Sequence, residues 1–344
     1  MEKYDGLALF SGGLDSLLAI KLLEKQGLKI LGLHFYSPFF GARDKVEKWQ
    51  EEYGLKLLAL DIGQEYLKMF LGRPKYGLGK VLNPCIDCKI LMLKKAKELL
   101  TPFGAKFLVS GEVLGQRPMS QRRDTLPLIP REAGVEGILV RPLTALNLKP
   151  TEVEQSGLVQ REKLLGIKGR GRKEQLALAR EFGLTSIPSP AGGCLLTDLE
   201  MGKRYTSLLK YVKEPELRYF DLALWGRHFW WNNYWLIIGR NKADNDKLIK
   251  LAQDEYLLRL ADYPGPIALG VYPKSWPQEI LRQAASFLVH FAPKALRSEE
   301  KHLAIKVVKK EESFVLEVSK EPREVFKWQE PGWQEEVKRE LIGK

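Results

Sequence analysis

Histidine and cysteine are scarce in this chain of 344 residues, with four of the first and three of the second. The histidines are His34, His228, His290 and His302, and none is paired at a ligand spacing, which argues against a zinc site built on histidine. Three cysteines are an odd number, too few for a disulfide framework, and point to metal binding or catalysis instead. No run of about 18 apolar residues exists, so no membrane-spanning helix is expected. The opening Met-Glu-Lys-Tyr-Asp lacks the basic and apolar regions of a secretory signal, so the chain reads as cytoplasmic with no membrane partner. Internal repeats and low-complexity tracts are absent as well.

What is present is the composition of a globular protein: 44% hydrophobic and 28% charged residues, in a length that suits two domains. The net charge is +12 and unevenly placed. Residues 1–214 carry 34 Lys and Arg against 24 Asp and Glu, whereas residues 215–344 carry 21 against 19. A basic first part attracts polyanions such as nucleic acid or anionic lipid.

The first part alternates strands and helices. Short apolar runs at residues 4–10, 29–35, 56–61 and 106–110 read as strands, and residues from Leu14 onward, 44–53 and 89–100 as helices. That alternation predicts a parallel sheet covered on both faces. Residues 115–137, with three prolines and four arginines, read as one long loop of the kind that serves function. The composition changes near residues 201–215, and seven of the eight tryptophans lie beyond Leu217. A hairpin over 229–239, an amphipathic helix over 277–288 and a second hairpin over 302–319 give an α+β second part. The expected domains are 1–200 and 215–344, joined by a linker at 201–214.

Between the first strand and helix stands Ser11-Gly12-Gly13-Leu14-Asp15-Ser16. Glycines there let backbone N–H groups approach an anion, and the helix N-terminus adds partial positive charge. Ser11 and Ser16 supply hydroxyls, and an acidic Asp15 beside phosphate makes sense with Mg²⁺ between them. The same letters also fit a plain Gly-Gly turn with a helix cap. The motif resembles the PP-loop of the ATP pyrophosphatases, Ser-Gly-Gly-x-Asp-Ser, and is neither a Walker A loop nor a Rossmann fingerprint. The resemblance implies a Rossmann-like, adenine-nucleotide alpha hydrolase-like fold. It also implies ATP cleaved between the α- and β-phosphates, with adenylation of a substrate oxygen.

Cys85 and Cys88 form a C-x-x-C pair after Asn83-Pro84, and Cys194 follows Gly192-Gly193. Three thiolates leave one iron of a cubane cluster without a protein ligand, and that open iron can bind sulfide or substrate. A structural zinc would require a fourth ligand. Both neighbourhoods resemble the tRNA thiouridine synthetases of the PP-loop class, whose Asn-Pro-x-x-x-Cys segment places its cysteine on Cys88 and whose second cysteine falls on Cys194. In the persulfide-using members these two cysteines alternate between persulfide and disulfide. The additional Cys85 matches the three-cysteine, iron–sulfur-dependent members instead, and implies Cys85, Cys88 and Cys194 as ligands of a [4Fe-4S] cluster. Three buried core thiols are the plain alternative.

Ser110-Gly111 ends the strand at 106–110, at the edge where open α/β sheets bind ligands, and the resemblance implies a place in the nucleotide pocket. Arg117, Arg122 and Arg123, with Arg170, Arg172 and Lys173 further on, are candidates for phosphates of ATP or RNA. In the second part, Gly239-Arg240-Asn241 followed by Asn245-Asp246 resembles the NFACT RNA-binding domain over about a dozen residues. The neighbouring Trp230, Trp231, Tyr234 and Trp235 fit a packed core better than base-stacking platforms. The combined expectation is an ATP-dependent tRNA sulfurtransferase served by free sulfide or a sulfur-carrier protein. The rivals are a PP-loop sulfur transferase or amidotransferase acting on a small molecule, and a non-catalytic RNA-binding protein.

Overall fold

The computed structural model describes residues 2–188 and 193–343. Residues group into two compact units, 1–198 with 341–344, and 199–340.

The first unit is built on a five-stranded sheet: β1 (Gly6–Leu9), β2 (Ile30–Tyr36), β3 (Lys56–Asp61), β4 (Phe107–Ser110) and β5 (Leu139–Val140). Spatial order is β3-β2-β1-β4-β5, and every pairing is parallel. The helices are α1 (Leu14–Glu24), α2 (Val46–Tyr53), α3 (Gly63–Leu71), α4 (Cys85–Glu98), α5 (Leu100–Phe103), α6 (Thr125–Ala133), α7 (Glu152–Gln155) and α8 (Lys173–Glu181). Alternate residues of β1 feed two cores. Ala8 and Phe10 pack with the α1 and α8 side, while Leu7 and Leu9 pack with Ile86, Ile90 and Leu93 of α4. Burial on both faces explains why β1 and β2 read as unbroken apolar runs rather than alternating ones.

The chain leaves β1 toward β2 and β3, then returns to place β4 on the opposite side of β1. A crevice opens at such a reversal, outside the carboxyl ends of the two strands. Ser11–Ser16 follow β1 there and Ser110-Gly111 close β4.

Three expectations change. The helix expected from Lys89 begins at Cys85, so both cysteines of the pair lie in its first turn. The loop expected over 115–137 contains α6, which tolerates Pro127 near its start and Pro130 inside. A helix, α9 (Leu199–Tyr211), stands where a linker over 201–214 was expected, and it groups with the second unit.

The second unit continues with α10 (Leu217–Leu222), β6 (Arg227–Trp231), β7 (Tyr234–Ile238), α11 (Lys242–Leu251), β8 (Tyr256–Leu260), β9 (Ala268–Tyr272), α12 (Gln278–Val289), α13 (Pro293–Leu296), β10 (His302–Lys309) and β11 (Glu312–Ser319). Its six-stranded sheet, ordered β11-β10-β8-β9-β7-β6, is antiparallel throughout. Apolar α12 residues Ile280, Leu281, Ala284, Phe287 and Leu288 cluster with residues of the sheet. Trp230 and Trp235 are buried and stacked at 5.2 Å, so these two aromatics are core.

Candidate active site

The PP-loop segment holds its own shape. Ser16 Oγ donates to the Gly13 carbonyl at 2.8 Å and accepts from the Ser11 backbone N–H at 3.3 Å. Gly12 has a φ of 78°, and a Cβ there would meet Trp49 of α2 at 2.5 Å, so glycine is required twice over. Trp49 is half-buried against Phe10 and His34. His34 accepts at Nε2 from the Ala42 N–H (2.9 Å), so its Nδ1, 3.0 Å from the Phe10 carbonyl, carries the proton. Burial lowers its pKa and favours this neutral form, which fixes the strand end that precedes Ser11.

Gly111 makes the second close approach. A Cβ there would lie 2.5 Å from the Asp15 carbonyl group and 2.6 Å from the Ser16 nitrogen. The β4 end therefore rests directly on the first turn of α1. Ser110 is buried, and its hydroxyl donates to Glu112 at 2.9 Å. Glu112 in turn pairs with Arg141 at 3.0 Å in a buried ion pair. Burial opposes the Glu112 charge, but Arg141 and Lys89 outweigh it and hold the carboxyl below its ordinary range.

Asp15 is oriented by two glutamines. Gln116 Nε2 donates to Asp15 Oδ2 at 2.6 Å, and Gln175 Nε2 of α8 donates to Gln116 Oε1 at 3.2 Å. The two remaining oxygens, Asp15 Oδ1 and Gln175 Oε1, are buried with no hydrogen-bond donor among the described residues. Buried acceptors without donors suit a hard cation such as Mg²⁺, which takes oxygen ligands.

The cysteines converge from two segments. The Leu82 N–H donates to the Leu196 carbonyl at 2.9 Å, and the Leu195 N–H donates to the Phe39 carbonyl at 2.8 Å. These bonds carry Cys194 to the start of α4, where the Asn83 amide donates to Cys85 Sγ at 3.1 Å. The same amide lies 3.3 Å from Met119 Sδ, which brings the arginine-bearing loop to the cysteines. Asp87 accepts from the backbone N–H groups of Lys75 and Tyr76, both at 3.0 Å, and so secures the entry to α4. The Ser189–Gly192 flank of Cys194 lies outside the described residues.

All three cysteines are free thiols, and Cys88 and Cys194 each lie close enough to Cys85 for its charge to act on them. Burial pushes the Cys194 thiol up to about 12, and burial likewise raises Cys88. Among the described residues, no three His, Cys, Asp or Glu side chains are disposed to hold a single metal ion. In a cubane cluster, by contrast, three thiolates would each take a different iron. Tyr66 of α3 is fully buried with its hydroxyl facing Cys88 and Cys194. Lys89 acts electrostatically on both the Cys88 thiol and the Glu112 carboxyl.

Arg117, Arg122, Arg123, Arg170 and Lys173 are exposed, and Arg172 is partly so. Their two loops adjoin: the Gly169 N–H donates to the Leu114 carbonyl at 2.7 Å. Gln116 ties the first of these loops to Asp15. Arg122 also pairs with Asp124 at 2.8 Å. Sequence reading missed Tyr66, Trp49, Lys89 and the Gln116–Gln175 relay. Each comes from outside the motifs and is brought to the site only by folding.

In the second unit, the Gly-Arg-Asn pattern has a physical account. A Cβ at Gly239 would meet Asn245 Oδ1 at 2.0 Å, and that oxygen accepts from the Ile267 N–H at 3.1 Å. Asn241 caps α11 by accepting from the Asp244 N–H. Asp244 grips Arg240 through both carboxylate oxygens, at 2.6 and 3.1 Å. A cleft of about 470 Å³ beside them is lined by Arg227, Arg240, Lys242, Asn241, His290 and Phe291, among others.

The first unit sets a PP-loop-like motif in a parallel α/β sheet, and the second resembles an NFACT-type module. Residues 2–152 match the family model of the thiamine biosynthesis protein ThiI, and residues 226–328 match that of the NFACT protein RNA binding domain. The chain is 32% identical over 148 residues to a probable tRNA sulfurtransferase of Thermococcus kodakarensis, covering 41% of this chain and 37% of that one. A probable tRNA sulfurtransferase of Methanothermobacter thermautotrophicus is 30% identical over 165 residues, covering 45% and 39%. The chain therefore spans under two fifths of the length of these relatives. A solved structure, the U34-tRNA thiolase NcsA from Methanococcus maripaludis with its [4Fe-4S] cluster, is 19% identical with a TM-score of 0.30, covering 61% of this chain and 68% of that one.

Proposed function

We propose that this protein is an ATP-dependent tRNA sulfurtransferase that replaces a uridine carbonyl oxygen with sulfur. The observation that carries the reading is the pairing, within one unit, of an intact PP-loop at the β1/β4 crevice with three convergent thiols. A binding protein needs neither. The match of part of the chain to tRNA sulfurtransferases supports it.

In this reading ATP lies across Ser11, Gly12, Gly13 and Ser16, its phosphates facing backbone N–H groups and the α1 N-terminus. Asp15, held by Gln116, presents its free oxygen to Mg²⁺. The uracil carbonyl oxygen attacks the α-phosphorus, and pyrophosphate leaves. A sulfur nucleophile then attacks the activated carbon, and AMP leaves with the original oxygen. Adenylation is needed because AMP is a far better leaving group than oxide. Cys85, Cys88 and Cys194 would hold a [4Fe-4S] cluster, whose one iron without a protein ligand would serve to bind the incoming sulfur. The arginine-bearing loops and the basic cleft of the second unit would take tRNA phosphates. The NFACT match supports that role for the cleft.

Pyrophosphate release with and without bulk tRNA tests the proposal. Release should depend on tRNA, and Asp15→Asn should slow it by about 10²–10³ at unchanged melting temperature. Release that ignores tRNA would favour a small-molecule substrate. Wild-type release from Asp15→Asn would remove Asp15 from the site.

A further inference from the structure

Tyr66 is the group the proposed chemistry leaves unexplained. Its side chain is completely enclosed, and among the described residues its hydroxyl has only the Cys88 and Cys194 thiols within reach, neither in a well-formed hydrogen bond. Protonated thiols are weak hydrogen-bond partners for an enclosed hydroxyl, and phenylalanine would fill the same volume without burying one. The ring is fixed by Phe39 at 5.2 Å and by Phe40 at 4.8 Å, edge-on. Phe39 is the residue whose carbonyl receives the Leu195 N–H, so the ring and the Cys194 segment share one support. Asp61 Oδ1 accepts from the Gly63 N–H at 2.8 Å and fixes the start of α3, from which Tyr66 projects. These contacts hold the ring in place, with its hydroxyl close enough to interact with Cys88 and Cys194.

We propose that Tyr66 is a positioning residue whose hydroxyl donates a hydrogen bond to the sulfur centre held by Cys85, Cys88 and Cys194. The inference rests on the cluster reading above and adds to it a donor from outside the cysteine motifs. A hydrogen bond to a cluster sulfur stabilises the reduced, more negative state and raises the reduction potential. A donor on this side also leaves the sulfur with a defined direction.

The test is anaerobic reconstitution of the full chain, followed by iron and sulfide analysis, electron paramagnetic resonance and a redox titration, all without tRNA or ATP. Tyr66→Phe keeps the ring and its aromatic neighbours. It should bind as much iron as the wild type, with a more negative midpoint potential and an altered resonance spectrum. Replacing Tyr66 by 3,5-difluorotyrosine, a stronger donor, should move the potential the other way. Loaded wild type and Tyr66→Phe with identical potentials and spectra would overturn the role of Tyr66 alone. A wild type that binds no iron would overturn the cluster reading on which it stands.

Discussion

A methyl group at Gly111 would fall 2.5 Å from the Asp15 carbonyl, against backbone that cannot swing aside. Gly111→Ala must therefore push β4 away from α1, and overpacking of this kind costs about 1–3 kcal/mol. The expected result is a lower melting temperature together with weak pyrophosphate release, measured on the same preparation. An alanine variant that melts and reacts as the wild type would show that the two turns can separate freely. Individual residues also mark the limit of sequence reading. Ser11, Asp15 and the three cysteines were legible because each sits in a short pattern whose spacing has a chemical meaning. Gln175 and Tyr66 carry no such pattern. One is a helical glutamine and the other a helical tyrosine, and only the packing of α8 and α3 gives them partners.

Elements were legible wherever their periodicity was strong. The four main strands and α1 fall where apolar runs and glycine turns put them. Two helices escaped for opposite reasons. In α6 the prolines and arginines signal loop, yet Leu126, Ile129 and Ala133 bury one face. At α9 the change of composition suggested a linker, but Tyr205 and Leu208 are fully buried. The start of α4 has direct consequences for chemistry. With Cys85 and Cys88 in its first turn, the helix N-terminus favours the Cys88 thiolate, against the burial that raises its pKa. If the three act as one ligand set, Ala variants at Cys85, Cys88 or Cys194 should each lose both iron and thiolation. A persulfide route instead makes Cys85 dispensable and leaves activity in iron-free protein. Iron content and thiouridine yield of the Cys85→Ala variant separate the two.

At the scale of the whole molecule, charge is the property that bears on the substrate. The surplus of basic residues lies in the first 214 positions, and Arg170, Arg172 and Lys173 adjoin the loop tied to Asp15. Neutralising these three should flatten the dependence of tRNA affinity on salt, by about one in slope for each phosphate that no longer meets a cation. An unchanged slope would transfer the footprint to Arg122 and Arg123 or to the cleft beside Arg240. The central claim joins ATP, sulfur and tRNA in one reaction, so it is tested most directly by the product. Purified, anaerobically reconstituted protein should be incubated with tRNA, ATP, Mg²⁺ and sulfide, and the digested nucleosides identified by mass spectrometry. The account predicts thiouridine in the complete mixture, and none when ATP is withheld or Asp15→Asn replaces the wild type. Pyrophosphate release with no thiouridine in any tRNA, or thiouridine formed without ATP, would contradict it.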